Sequence, residues 1–530
     1  MKKRTIITLL LPLLLISCAT KQWPSSESDE SNIIESEEYP NVEFTPMEGT
    51  VDLFAINDFH GSVIQNGYEM GILKVGSYLK QRQQEENTVV INSGDYWQGS
   101  LQSNMNYGEF LTKIANDIEF DAMTIGNHEF DWGVNYINRN SEFESDTGYK
   151  TPFLGANIYN YSISTGEVGD YANLGKKYVI KTLENGIRVG IIGLIGDSQI
   201  SSITSSYVDH LTFIDPFNVV KELSNELRNE KGCHLVVLSA HEGAEDIAYA
   251  TDGNGKKIAD YVDVIFGGHS HQREAALING RVPALQGSSN GKAISKVSLK
   301  VNLDRSVEIK SYTNLLNADF ETPVDNEIQA IYDTYIAEAD TRAKETLANF
   351  SGVMSKSNAP YLMTASIASY AAQNNIDIDY AVVNQARNSL GNDTTITYED
   401  LYRAFPFDNE VYVVEVLGSE LQTNLNRNYF YRLDPSKIDT AKTYTCAIID
   451  YVALHRNDDR EYDNFTHFNI KGSLKKEGLQ IYNYREICAD WLRNLEVEAI
   501  DISYFQGSNL RHNKSSLSQN VTLPNNPYVG

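Results

Sequence analysis

The sequence predicts an α/β protein of two domains. From Val51 to about Asn302, short β-branched apolar runs alternate with helical patterns, as expected of a sheet covered by helices. A chain of 530 residues is too long for one ordinary domain and can bury two cores. Several apolar runs in the first half end in His, Asp or Asn, where α/β sheets place their ligand sites. With 41% hydrophobic and 22% charged residues, the composition is globular.

Lys2, Lys3 and Arg4 precede an apolar run from Ile6 to Ile16, about half the length needed to span a bilayer. Residues 1–18 therefore read as a cleaved export signal. The run ends in Leu15-Ile16-Ser17-Cys18, which resembles a bacterial lipoprotein box whose cysteine becomes the lipidated N-terminus. Because a multiply acylated cysteine anchors stably, a membrane is an expected partner and the protein is expected outside the cytoplasm, in a periplasm or at a cell surface. Residues 19–48 carry Glu27, Asp29, Glu30, Glu35, Glu37, Glu38, Glu43 and Glu48 against Lys21 alone, so they are expected to form a solvated tether. The remaining cysteines, Cys233, Cys446 and Cys488, make no closed disulfide framework.

A formal charge of −27 argues against nucleic acid polymers as partners, since phosphate backbones would be repelled. A small phosphate ester could bind where divalent cations invert the local field.

The expected strands are Val51 to Ile56, Thr88 to Ile91, Asp121 to Ile125, Arg188 to Leu194, His234 to Ser239 and Val262 to Phe266, with helices such as Gly71 to Glu85 and Phe217 to Asn229 between them. They make a first domain at 49–320. Val324 to Leu347 has few breakers and apolar residues near helical spacing, predicting a linking helix within 321–350. A second α/β unit covers 351–515, and an Asn- and Ser-rich tail occupies 516–530.

Asp58-Phe59-His60 follows the first strand, Ser93-Gly94-Asp95 the second and Gly126-Asn127-His128-Glu129 the third. Ala240-His241-Glu242 follows a later strand and Gly267-Gly268-His269-Ser270-His271 the last. Singly, such an Asp is commonly a helix cap and such a His a satisfied core residue. Together, five of the ten histidines occupy strand ends. Oxygen and imidazole donors without thiolates suit Zn, Mn, Fe, Co or Mg.

This order of motifs resembles the calcineurin-like metallophosphoesterases, and the strings DFHGS, GDYWQGS, GNHEFDWG and GGHSH are similar to the 5'-nucleotidase and UDP-sugar hydrolase branch. The resemblance implies a four-layer α/β sandwich followed by an α/β substrate-binding domain. It implies two divalent metal ions, one held by Asp58, His60, Asp95 and His271, the other by Asp95, Asn127, His241 and His269. Asp95 would bridge, since a carboxylate can offer one oxygen to each ion, and paired cations can stabilise both attacking hydroxide and phosphoryl charge. His128 resembles the family's catalytic histidine and Asp131 the acid that orients it.

In the second half, the segment from Ile396 through Ala404-Phe405-Pro406-Phe407-Asp408-Asn409 is similar to the substrate-binding domain of the same branch, with Phe407 matching the aromatic that stacks on a nucleobase. Tyr462-Asp463-Asn464-Phe465 stands where the second aromatic belongs, making Phe465 a candidate stacker and Asp463 a candidate ribose acceptor. The family's Asn-x-Gly-Gly-x-Arg motif is shortened to Asn384-Gln-Ala-Arg387, and no arginine occurs from Ser351 to Ala372, where a bidentate phosphate clamp is expected. The hydrolytic centre reads as intact and the specificity domain as remodelled. The resemblance implies hydrolysis of nucleoside 5'-phosphates by water. The alternatives are the same centre acting on nucleotide sugars, cyclic nucleotides or a non-nucleotide phosphate, and a non-catalytic solute-binding lipoprotein.

Overall fold

The computed structural model describes residues 39–391, 394–431, 435–457, 461–462, 464–466, 468–476, 482–495 and 498–505. The signal, the Cys18 box, most of the acidic stretch, Asp463 and the tail all lie outside these residues.

Two six-stranded sheets form the first domain. In one, the strands run 307–316, 293–301, 49–56, 88–92, 122–124, 153–154; in the other, 273–278, 282–287, 264–266, 235–241, 188–195, 178–182. Gly49–Ile56, Thr88–Asn92, Ala122–Thr124 and Phe153–Leu154 are mutually parallel, as are Arg188–Ile195, Leu235–His241 and Val264–Phe266. Strands covered on both faces need continuous apolar sequence, and Thr88–Asn92 is buried at every position. Val51, Leu53, Val89 and Ile91 of one sheet meet Val189, Ile191, Val237 and Val264 of the other. Helices cover the outer faces: Gly71–Gln83 and Glu109–Ile118 on the first sheet, Pro216–Asn229 on the second. The last begins where Asp215 accepts from the Phe217 N–H and Pro216 presets the first turn. The expected four-layer sandwich is present, with all six expected strands.

The linking helix is shorter than the sequence suggests, spanning Asn326–Ala343. Asp325 caps it, accepting from the Glu327 and Ile328 N–H groups. Lys80 pins this end through Asp117 (2.8 Å), Asp325 (3.1 Å) and Glu327. Beyond Ala343 the chain pairs as a strand, Thr346–Asn349 against Thr395–Thr397.

The second domain is a five-stranded sheet in the order 429–430, 380–383, 443–449, 411–417, 468–473, with helices Ala359–Gln373 and Tyr484–Arg493 packed together on it. Its apolar core takes in Leu101 of the first domain and is otherwise built from residues 343–505.

The expected tether ends before residue 48. The Val42 N–H donates to the Glu230 carbonyl (2.8 Å), Lys231 donates to the Tyr39 carbonyl (2.7 Å), and Phe44 lies under the Arg305 guanidinium (3.6 Å). The acidic count hid Tyr39, Phe44 and Met47, whose apolar surface docks residues 39–48 onto the first domain.

Candidate metal centre and substrate cavity

The parallel strands converge with their C-terminal ends on one point. Two groups of ligand atoms gather there, Asp58, His60 and His271 in one and Asp95, His241 and His269 in the other. Asp58, Asp95, Asn127 and His241 are each at most 2% exposed. The turns after Gly49–Ile56, Thr88–Asn92 and Val264–Phe266 are tight enough to force their side chains inward: Asp58, His60, Asp95, His269 and His271 all have positive φ, between 45° and 65°. Such backbone costs of order 1–3 kcal/mol per non-glycine residue, so the surrounding fold must impose it. The motif glycines have a matching cause. A Cβ on Gly126 would lie 2.4 Å from Asp95 Oδ1, and one on Gly94, at φ +94°, 2.6 Å from His241 Nδ1.

The donor chemistry fits two cations. His60 Nδ1 faces the Gln98 carbonyl (3.0 Å) and His241 Nδ1 the Ser93 carbonyl (2.9 Å). A nitrogen facing a carbonyl oxygen must carry the proton, which leaves the lone pair on Nε2 of each ring. His60 Nε2 then meets His271 Nε2 at 2.9 Å, and His241 Nε2 meets Asn127 Oδ1 (3.0 Å) and Asp95 Oδ2 (3.1 Å). Acceptors crowded onto acceptors need a positive charge between them. Burial holds His60 down at about 4 and so keeps it neutral. At His241 burial acts the same way, but the Asp95 carboxylate overrides it and raises the group to about 10, the response of a site that wants a cation.

Asp95 lies between the two groups, with Oδ2 3.1 Å from His241 Nε2 and 3.8 Å from His60 Nε2. Its Oδ1 instead accepts the His128 backbone N–H (2.9 Å). Asp95 Oδ2 thus faces both groups, as a bridging ligand would.

Two residues without an expected role complete the frame. Glu129, fully buried, accepts from the Asp95, Tyr96 and Gly126 N–H groups at 2.8–2.9 Å and locks two motif turns together. Asn57 donates to Asp58 Oδ2 (2.6 Å) and accepts from the Gly287 N–H (2.7 Å). Their neighbouring motifs were legible, but an inward-facing organiser looks like any polar residue in the string.

His128 stands beside the first group, its ring 5.3 Å from that of His60, and its Nδ1 donates to Asp131 Oδ2 (2.8 Å). Burial disfavours the imidazolium, but Asp131 and Asp95 outweigh it and raise His128 to about 9. A charged ring held this way can neutralise phosphoryl charge or give up a proton.

The second domain closes a cavity of about 280 Å³ over this centre, lined by Asp95, Asn127, His128, Asp131, His269 and His271 on one side and by Asn384, Arg387 and Phe407 on the other. Phe407 stacks on His128 (5.6 Å between ring centres, 20° between planes), and the Arg387 guanidinium lies 4.9 Å from the Phe407 ring. The loop bearing Phe407 is fastened from both sides. Gln98 donates to the Pro406 carbonyl (3.0 Å) and Trp132 to Asp408 (2.9 Å) from the first domain. From below, the buried Arg485 donates to the Phe405 (2.8 Å) and Phe407 (2.9 Å) carbonyls and pairs with Asp408.

Of the two remaining candidates, one falls elsewhere. Phe465 is 1% exposed within the core of the second domain and does not line the cavity, because its ring supplies apolar volume to that core. Asp463 lies outside the described residues. The cavity wall instead contains Tyr207, Asp408, Asp450 and Tyr451. Asp450 and Tyr451 follow the strand Thr443–Ile449, so the strand-end rule that located the metal ligands would have found them too.

Residues 53–273 match the calcineurin-like phosphoesterase family, and residues 336–434 match the 5'-nucleotidase C-terminal domain. Residues 53–273 thus form a calcineurin-like phosphoesterase domain. The chain is similar to endonuclease YhcR of Bacillus subtilis, 26% identical over an alignment of 444 positions that covers 78% of this chain and 35% of that protein. It is also similar to a 5'-nucleotidase of Vibrio cholerae, 23% identical over 70% of this chain and 74% of the relative. Against three curated relatives the chain spans 35%, 42% and 56% of their length. A putative 5'-nucleotidase from Staphylococcus aureus shares the fold, with a TM-score of 0.64 at 17% identity over 86% of this chain and 99% of that one. Phosphoesterases of this family use a dinuclear divalent metal centre, and the two ligand groups around Asp95 are where this chain would hold it.

Proposed function

We propose that this phosphoesterase hydrolyses nucleoside 5'-phosphates to nucleoside and phosphate, outside the cytoplasm and tethered by lipid at Cys18. The observation that carries the reading is the shared cavity, in which the metal-ligand groups and His128 of the first domain are met by Phe407, Arg387 and Asn384 of the second. That combination of groups suits a phosphate joined to a flat ring. Two bound divalent cations would lower the pKa of water and neutralise charge developing on the phosphoryl oxygens.

The protein's own groups do the rest. Asp58, His60, Asp95 and His271 would hold one ion and Asp95, Asn127, His241 and His269 the other. Asp131 keeps the His128 proton on Nδ1 and leaves Nε2 to the substrate, so His128 can stabilise the phosphoryl oxygens and protonate the leaving ester oxygen. Arg387 contributes charge near the phosphate, and Asn384 hydrogen bonds. Phe407 offers one stacking face. Tyr451 takes the part first assigned to Phe465, as an aromatic in the same cavity wall.

Export and anchoring are supported by Lys2-Lys3-Arg4, the apolar run after them and Cys18. Similarity to a protein named cell wall protein Lmo0130, of Listeria monocytogenes, points to the same side of the membrane. Among the described residues no helix is long and apolar enough to cross a membrane. The Cys18→Ser chain should leave the membrane fraction with its activity intact; retention after a high-salt wash would refute the anchor.

The substrate is tested by phosphate release from a panel of nucleotides, nucleotide sugars, cyclic nucleotides and aryl phosphates, with Mn, Zn, Co and Mg supplied in turn. Nucleoside 5'-phosphates should have the highest kcat/KM, and a chelator should abolish turnover. Tight nucleotide binding by metal-loaded protein without turnover would favour a solute receptor instead.

A further inference from the structure

A second cavity, of about 880 Å³, shares no lining residue with the first. The polypeptide around His271 separates them. His271 lines the first cavity, whereas Arg273, two residues on, and Ser288, whose hydroxyl donates to the His271 carbonyl (3.4 Å), line the second. The Ser288 carbonyl accepts from Asn57 (2.7 Å), which also holds Asp58. Two residues of chain span at most about 7 Å, so the second cavity opens within one side chain's reach of His271.

Its lining is unusual for a chain of net charge −27. Lys74, Arg273 and Lys292 face it, with Glu321 as the one acid in the wall. Lys74 is held by Asn317 (2.8 Å) and lies 3.7 Å from Glu321, and Lys292 lies 4.0 Å from Glu69. Arg273 makes no ion pair among the described residues. Tyr68 is 84% exposed in the same wall, an aromatic face left to solvent. Burying that face would be favourable, and a flat group can do so by stacking. The three cations supply a local positive field in an acidic protein, which recruits an anion of limited size.

A phosphomonoester has one organic arm, and the first cavity accommodates it. A phosphodiester has two. We propose that the second cavity binds the far arm of a phosphodiester of dinucleotide size, Tyr68 stacking on its ring and Arg273 and Lys292 meeting its terminal phosphate. This rests on the hydrolytic centre and the Phe407 cavity described above. For a 5'-phosphorylated dinucleotide, the internal phosphate sits at the metal-ligand cluster, the 3' nucleoside against Phe407 and the 5' nucleotide against Tyr68. Water oxygen bonds to phosphorus, the bond from phosphorus to the 3' oxygen of the 5' nucleotide breaks, and that oxygen takes a proton as a hydroxyl. The products are two nucleoside 5'-phosphates, one already seated for monoester hydrolysis.

The test follows internal-bond cleavage of a 5'-phosphorylated dinucleotide by chromatography, beside phosphate release from a nucleoside 5'-monophosphate. It uses the full metal-loaded chain, the Arg273→Glu/Lys292→Glu variant and the Tyr68→Ala variant. Expected is internal cleavage by the wild type, lowered about tenfold or more by each variant, with monophosphate turnover within about twofold of wild type. Monophosphate turnover without internal cleavage in the wild type overturns the proposal and leaves the monoesterase reading standing. Equal losses on both substrates, or none on either, also overturn it. Internal cleavage that falls in the variants while no protein releases phosphate from the monophosphate supports the second cavity and overturns the monoesterase reading.

Discussion

The two walls of the central cavity are built on different terms. On the first-domain wall, five ligand residues adopt positive φ, the carboxylates are buried, and each of the best-placed imidazoles is fixed by a hydrogen bond to a backbone carbonyl. On the second-domain wall, the backbone of the Phe407 loop is fastened, but Arg387 is exposed, Phe407 is half-buried, and their side chains meet each other and the His128 ring. Backbone strain is tolerated where position decides the chemistry, since small misplacements of a reacting group are costly. Binding a flat ring needs only a face of adequate area, which many side chains and many backbones can offer. The first wall is thus built for one reaction and the second for whatever that reaction is applied to.

The largest effect should come from Asp95→Asn, because its Oδ2 faces both ligand groups. Elemental analysis should show two metals falling to one or none, with turnover lost; a variant that keeps both metals and near-normal turnover would contradict the bridging role. His128→Asn should leave the metal content unchanged and lower kcat by roughly two to four orders of magnitude. Loss of metal along with rate would make His128 a ligand instead.

Arg485→Met tests the fastening of the second wall. Removing one partner of a buried ion pair costs about 3–5 kcal/mol and should lower Tm, while frayed support for the Phe407 loop should raise KM for nucleotides. An unchanged Tm would show that Asp408 and the loop carbonyls find other donors. Phe465→Ala should destabilise the second domain by about 3–5 kcal/mol, as for a core aromatic, and leave KM unchanged in the protein that remains folded. A raised KM with an unchanged Tm would return Phe465 to the substrate site.

The same contrast explains what could be read from sequence. Metal ligands must be particular atoms at the ends of particular strands, so the candidates Asp58, His60, Asp95, Asn127, His241, His269 and His271 stand out as a set, as does the sandwich that carries them. A stacking face is only an aromatic ring, and the chain has 32 tyrosines and 19 phenylalanines. Local resemblance therefore points to Phe465, whose ring fills a core, and not to Tyr451 at the end of its strand. The organisers were equally hidden. Glu129, Asn57 and Arg485 act through hydrogen bonds to neighbouring motifs, and nothing in their spacing distinguishes them from solvated polar residues. Docking of residues 39–48 was missed for a related reason, since three apolar side chains outweigh an acidic count only when a complementary surface is present.

The most direct test of a rigid chemical wall opposed by an adaptable binding wall is kcat/KM for Phe407→Ala on two substrates, a nucleoside 5'-phosphate and a small aryl phosphate. The nucleotide should lose about 1–3 kcal/mol of stacking, a fall of about 5- to 150-fold seen chiefly in KM, while the aryl phosphate is turned over as before. Equal losses on both substrates would contradict the account, because Phe407 would then support the reacting centre itself.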